Sequence, residues 1–61
     1  MKKVKWAVIM KWYNYEENKW HRHTTKWYDY SGDAWKEAED FGKTIEWDEM
    51  SRELAHKEVE E

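Results

Sequence analysis

No cysteine and no proline occur in this chain of 61 residues, and only two glycines do, Gly32 and Gly42. Without cysteine there is no disulfide framework, and a zinc site would have to be built from histidines and carboxylates alone. Zero cysteine also fits a cytoplasmic protein. Two isolated glycines exclude a phosphate-cradling loop, a nucleophile elbow and any paired-glycine motif. Long hydrophobic runs are missing as well. The apolar stretch from Trp6 to Met10 follows a basic Met1-Lys2-Lys3 start but is closed by Lys11. It is too short for a signal peptide or a membrane span, so no membrane partner is expected.

What the chain has is aromatic side chains: six Trp, four Tyr and one Phe. A domain near the lower size limit for unaided folding cannot build a large core, and each such ring buries roughly 150–250 Å². Some of these rings are therefore how the chain folds. There are too many for all of them to be core, so a remainder is expected to face a partner.

The net charge of −3 hides an asymmetry. Residues 1–30 carry seven Lys/Arg against three Asp/Glu, a balance of +4. Residues 31–61 carry four against eleven, a balance of −7. Such a division speaks to partners and orientation rather than to fold.

From Lys3 to Tyr13 the pattern has period two, with Val4, Trp6, Val8, Met10 and Trp12 on one face, which predicts a half-buried strand. A polar link, 14–18, contains Asn18, a residue that tolerates the left-handed conformation of a tight turn. Residues 19–30 then read as a second strand, giving an antiparallel hairpin. A register with Tyr15 opposite Trp20 would put Met10 opposite Thr25 and Val8 opposite Trp27. Lys11-Trp12-Tyr13-Asn14-Tyr15 and Lys26-Trp27-Tyr28-Asp29-Tyr30 form a near-repeat, read as similar chemistry at two strand ends.

Ser31 is a candidate helix N-cap and Asp33 suits the first turn. Beyond it Ala34, Ala38, Phe41 and Ile45 form a helical stripe, flanked by Trp35. Trp47, Met50 and Leu54 form a second stripe out of phase with the first. This predicts a helical region over 33–58, either broken near 42–47 or running as one long helix with two apolar faces, with Thr44-Ile45-Glu46-Trp47 as an alternative short third strand. The fold class is accordingly α+β: one small domain in which a basic hairpin (3–30) packs against an acidic helical C-terminal half. The expected core is Val4, Trp6, Val8, Met10, Trp12 and Trp27 against Trp35, Ala38, Phe41 and Ile45.

Catalytic chemistry finds little support. His21 and His23 share a strand face, and Glu53-x-x-His56 is half of a di-iron helix motif, but neither has a complete ligand set. No metal and no cofactor are expected. Ser51, Glu53 and His56 could be assembled as a triad only within one segment that offers no oxyanion hole. The chain is also short for enclosing a small-molecule substrate. A non-enzymatic role follows.

The favoured reading is a protein-binding module, a small regulator or inhibitor of mobile-element or phage type acting on a nucleic-acid-handling protein. Glu37, Asp40, Glu46, Glu49 and Glu53 would imitate phosphate spacing. Trp47, Met50 and Leu54 would form a homodimer contact, since an uncovered apolar stripe on a short domain is normally an interface. The alternative is a nucleic-acid-binding hairpin in which Lys5, Lys11, Tyr13, Trp20, Arg22, Lys26 and Tyr28 combine ring stacking with phosphate contacts. In outline, the basic hairpin followed by Ala34-Trp35-Lys36-Glu37-Ala38 resembles the strand-rich arm-binding domains of mobile-element integrases over about half the chain. That resemblance implies nucleic-acid binding by the hairpin. The negative net charge departs from those domains, and no family is assigned.

Overall fold

Period-two alternation produces the element it predicts. In the computed structural model, which describes residues 1–60, Lys2–Asn14 is one long strand, β1. The second strand, β2, is Lys19–Thr24. Helix α1 follows at Ser31–Gly42, and a third strand, β3, runs Glu49–Glu60. The sheet is antiparallel in the order β2-β1-β3, with β1 at its centre.

The first correction concerns 33–58. Only Ser31–Gly42 is helical, Thr44 to Trp47 is a connecting segment rather than a strand, and Glu49–Glu60 is extended. Most residues of β3 are good helix formers, but propensity is a weak preference that tertiary pairing overrides. β1 offers a second edge of backbone N–H and C=O groups, and β3 satisfies it continuously from Lys2↔Glu60 to Tyr13↔Glu49. The spacing that suggested a helix was ambiguous. Met50 and Leu54, four apart, share a face on a helix and also on a strand.

The hairpin register also differs. Tyr13, not Tyr15, opposes Trp20, and Met10 opposes His23. The shift is two residues, so each β2 side chain keeps its expected face. Asn18 closes the loop in the left-handed region, at φ 53°.

Past Thr24 the second strand takes in one extra residue. Ile9 pairs with Thr24, yet Trp6 pairs with Tyr28, so three steps on β1 meet four on its neighbour. Thr25 closes the gap: its hydroxyl accepts the Val8 N–H at 2.8 Å and donates to the Lys26 carbonyl at 3.0 Å. Its N–H meets the Val8 carbonyl at 3.0 Å. This bulge decides which ring enters the core. Tyr28 packs on the helix side, while Trp27, expected in the core, remains 38% exposed.

Helix α1 lies over one face of β1. Val8, Met10, Trp12, Ala34 and Ala38 are buried, with Tyr28, Phe41, Ile45 and Met50 packed around them. Val4, Trp6 and Trp35, all expected in the core, lie outside it. The N-cap is Tyr30 in extended backbone without a side-chain bond, so Ser31 is the first helical residue and not the cap; Asp33 does occupy the first turn. Thr44 closes the other end through its N–H and hydroxyl on the Phe41 carbonyl.

A polar clamp joins the far end of β1 to the start of β3. The buried Asn14 amide oxygen accepts the N–H groups of Glu16 and Glu17 at 2.9 and 3.2 Å. Asp48 donates its N–H to the Tyr13 carbonyl and accepts that of Tyr15 at 2.7 Å. The result is a slat of about 47 × 17 × 12 Å.

The open face of the sheet as a candidate interface

Because the helix covers one face, the other carries the odd-numbered side chains of β1. Strand register places Lys3, Lys5, Ala7, Ile9, Lys11 and Tyr13 in its central row. β2 adds Trp20, Arg22 and Thr24, opposite Tyr13, Lys11 and Ile9. β3 adds Glu49, Ser51, Glu53, Ala55, Lys57 and Val59.

One corner is aromatic. The Tyr13 ring lies 5.2 Å from Trp20, tilted, and 5.3 Å from Tyr15, edge to face, centroid to centroid. Trp20 and Tyr15 are 61% and 62% exposed. Their positions are nonetheless fixed. The Tyr13 hydroxyl bonds the Asn18 side chain, and the Tyr15 hydroxyl donates to Glu49 Oε2 at 2.9 Å. That bond to the Glu49 carboxylate raises the Tyr15 pKa above the ordinary phenol value. Lys11 and Arg22 face each other beside the rings.

The opposite end is charged. Lys5 bonds the Asp29 carboxylate, and Lys3 Nζ lies 3.2 Å from the same oxygen. The Lys5 bond, with Lys3 beside it, holds Asp29 below the usual carboxylate range. Lys5 and Lys57 are directly opposed, a like-charge pair. Lys5 is turned to Asp29, and the Lys57 ammonium sits 4.5 Å above the Trp27 ring, which offsets the repulsion.

Of the seven residues assigned to nucleic-acid contact, Lys5, Lys11, Tyr13, Trp20 and Arg22 come together on this face. Tyr28 does not. It packs on the helix side, where its hydroxyl bonds Glu37 at 2.5 Å, and that bond raises its pKa. Lys26 lies in the bulge, its N–H directed at the Glu37 carboxylate.

The five acids do not form one array. Glu37 and Asp40 are on α1, Glu46 is in the connecting segment, and Glu49 and Glu53 are on the open face. Glu37 is engaged with Tyr28, Lys26 and, at 3.8 Å, His23. The proposed self-association stripe is likewise divided. Met50 packs on the core, Leu54 is 37% exposed on the helix side of β3, and Trp47 lines a shallow groove with Asn14, Ile45 and Asp48.

His21 and His23 do share a face, the helix side, but both serve as aromatic packing. His21 stacks on Trp12 at 5.3 Å and His23 on Phe41 at 4.0 Å. Among the described residues no three His, Asp or Glu side chains are grouped to hold a metal. On a strand, Ser51 and Glu53 point to the open face and His56 to the other, so the sequence triad and the Glu-x-x-His step both dissolve. No helix among the described residues is long and apolar enough to cross a membrane.

The signal that sequence reasoning missed is the contribution of β3. Alternation across Glu49, Ser51, Glu53, Ala55 and Lys57 was masked by helix-forming residue types. Comparison with family models, with curated proteins and with solved structures finds no match for this chain.

Proposed function

We propose that the chain is a non-enzymatic protein-binding module whose docking surface is the open face, anchored at the Tyr13–Tyr15–Trp20 corner with Arg22 and Lys11. The observation that carries this is two largely exposed rings, Trp20 and Tyr15, held in place by neighbours. Trp, Tyr and Arg are the residue types on which binding energy concentrates. Rings ordered before contact lose less entropy on docking. Glu49 and Glu53 beside Lys11 and Arg22 make the surface mixed in sign, which suits a protein better than a polyanion. Such a module acts by occupying its partner's surface, as a small regulator or inhibitor does.

The same corner supports a second reading. Lys11, Tyr13, Trp20 and Arg22 on one open sheet combine cations with stacking surfaces for single-stranded nucleic acid. Titration with fluorescent oligonucleotides at physiological salt separates the two. The protein-binding reading expects weak or absent binding. A sub-micromolar complex, weakening steeply with salt, would put nucleic acid in its place. Affinity capture from source-cell extract on immobilised wild type and Trp20→Ala gives the positive side. A protein held by the first and lost by the second is the expected result.

A further inference from the structure

The sheet has two edges, and they are built differently. On the β2 side the edge is a strand of six residues ended by the Thr25–Lys26 bulge. On the β3 side it is a strand of 12 residues in unbroken register, with no proline anywhere in the chain. Short strands, bulges, prolines and charged side chains keep sheet edges from pairing; β3 has only the last of these, and its charges are of both signs, so they can match a second copy as well as repel one.

Trp6 exchanges both backbone bonds with Tyr28, so even-numbered residues of β1 face that side and odd-numbered ones face β3. The odd residues of β3 are therefore turned inward. Met50, Arg52, Leu54, His56, Glu58 and Glu60 direct their N–H and C=O groups outward. Helix α1 packs on β1 and leaves this edge uncovered.

We infer that β3 is a homodimerisation edge, pairing antiparallel with β3 of a second copy about a two-fold axis at Ala55. Only registers that match outward-facing residues with outward-facing residues can form bonds, and among these the charge pattern selects one. With Ala55 opposite Ala55, Arg52 of each copy faces Glu58 of the other, and Glu53 faces Lys57. That makes four opposite-charge pairs and, over residues 50–60, no like-charge pair. Moving the axis to Leu54 removes all four and sets Arg52 against His56. An axis at Glu53 sets that residue against itself, and one at His56 keeps only Arg52 opposite Glu60.

Two monomer features agree with the chosen register. The side chains of Arg52 and Glu53 have no ion-pair or hydrogen-bond partner among the described residues. Leu54, 37% exposed, sits beside the axis on the helix side. The dimer would join two three-stranded sheets into one of six strands, closed by symmetry. The edge is separate from the Trp20 corner, so this inference stands or falls independently of the open-face reading.

The test is a charge exchange read by sedimentation equilibrium. Wild type should move from monomer to dimer mass as concentration rises. Arg52→Glu and Glu58→Arg should each weaken self-association by about tenfold or more, because two attractive cross-strand pairs become repulsive. An equimolar mixture of the two should form a heterodimer, since every facing pair is again opposite in sign. Register is read separately by single cysteines. Facing residues of a non-hydrogen-bonded pair have Cα atoms about 4.5 Å apart, within disulfide reach. Ala55→Cys should therefore cross-link rapidly in oxidant. Ser51→Cys, about 27 Å from its symmetry mate at 3.4 Å per residue, should not. A concentration-independent monomer mass for wild type would overturn the proposal. So would failure of the mixture to associate while circular dichroism shows both variants folded, or equal cross-linking at positions 51 and 55.

Discussion

The two faces of the central strand are made from alternate residues of one sequence, yet they do opposite things. Val8 and Met10 are fully buried beneath Ala34 and Ala38. Their immediate neighbours Ile9 and Lys11 look out on the open side. On the covered face aromatic side chains form a packed series, Trp12 with His21 and Phe41, and Phe41 with His23. On the open face an equally connected series, Tyr15–Tyr13–Trp20, ends in solvent. The difference lies in what covers the rings. Small helix residues let α1 approach one face closely, while no helix packs on the other, where Ala7 is the one buried residue of β1. Aromatic content alone therefore does not separate core from surface. Coverage does.

Substitutions on the two faces should separate sharply. Met10→Ala removes the middle of the covered face and should lower unfolding free energy by about 2–4 kcal/mol in urea denaturation. In so small a domain that is a large fraction of the total stability. Ile9→Ala, one residue away, should cost far less; equal losses would erase the distinction between the faces. Next in size is Thr25→Val, which keeps shape but leaves the Val8 N–H without its 2.8 Å acceptor. A loss of about 1–3 kcal/mol is expected.

A pH-dependent effect comes third. Tyr28 is bonded to the Glu37 carboxylate and its pKa is raised in the folded chain. The stabilisation is complete below the ordinary phenol value of about 10 and is lost as pH rises through the folded one. Thermal melts in alkaline buffer should show wild type losing stability more steeply than Tyr28→Phe; parallel curves would remove the bond from the account. Smallest of all is Trp20→Ala. It should change stability by less than about 0.5 kcal/mol, while weakening partner binding by about 2 kcal/mol or more. A large drop in melting temperature would make Trp20 a structural residue.

Much of the N-terminal half was legible. Period two in β1, the turn at Asn18 and the helical stripe of Ala34, Ala38 and Phe41 are all local patterns, and local patterns are what a sequence displays. The register slipped because it depends on the number of loop residues, and the loop holds four, 15–18. Trp27 was misplaced because one inserted residue at the bulge exchanges Trp27 for Tyr28, and the Thr25 hydroxyl that permits it carries no motif. β3 was misread for a different reason. Its extended form is imposed by a partner strand more than thirty residues away, while Met50, Leu54, Glu49 and Glu53 are spaced by four, a distance common to both periods. The candidate interface suffered accordingly. Lys5, Lys11, Tyr13, Trp20 and Arg22 share a face as alternation implies, but Lys26 and Tyr28 leave it at the bulge, and Glu49, Glu53 and Lys57 could join only once β3 was known to be a strand.

The slat-like outline has a hydrodynamic consequence. With extents of 47, 17 and 12 Å, a 7.7 kDa chain will diffuse and tumble more slowly than a sphere of its mass. Its nitrogen relaxation should be anisotropic, with amide vectors along the strands and across them reporting different correlation times. On a gel-filtration column the monomer will elute ahead of compact standards, in the direction of a dimer. Two such slats joined edge to edge would broaden rather than lengthen, so dimerisation will change elution less than doubling the mass suggests. For this molecule, shape and stoichiometry separate only in a measurement that weighs.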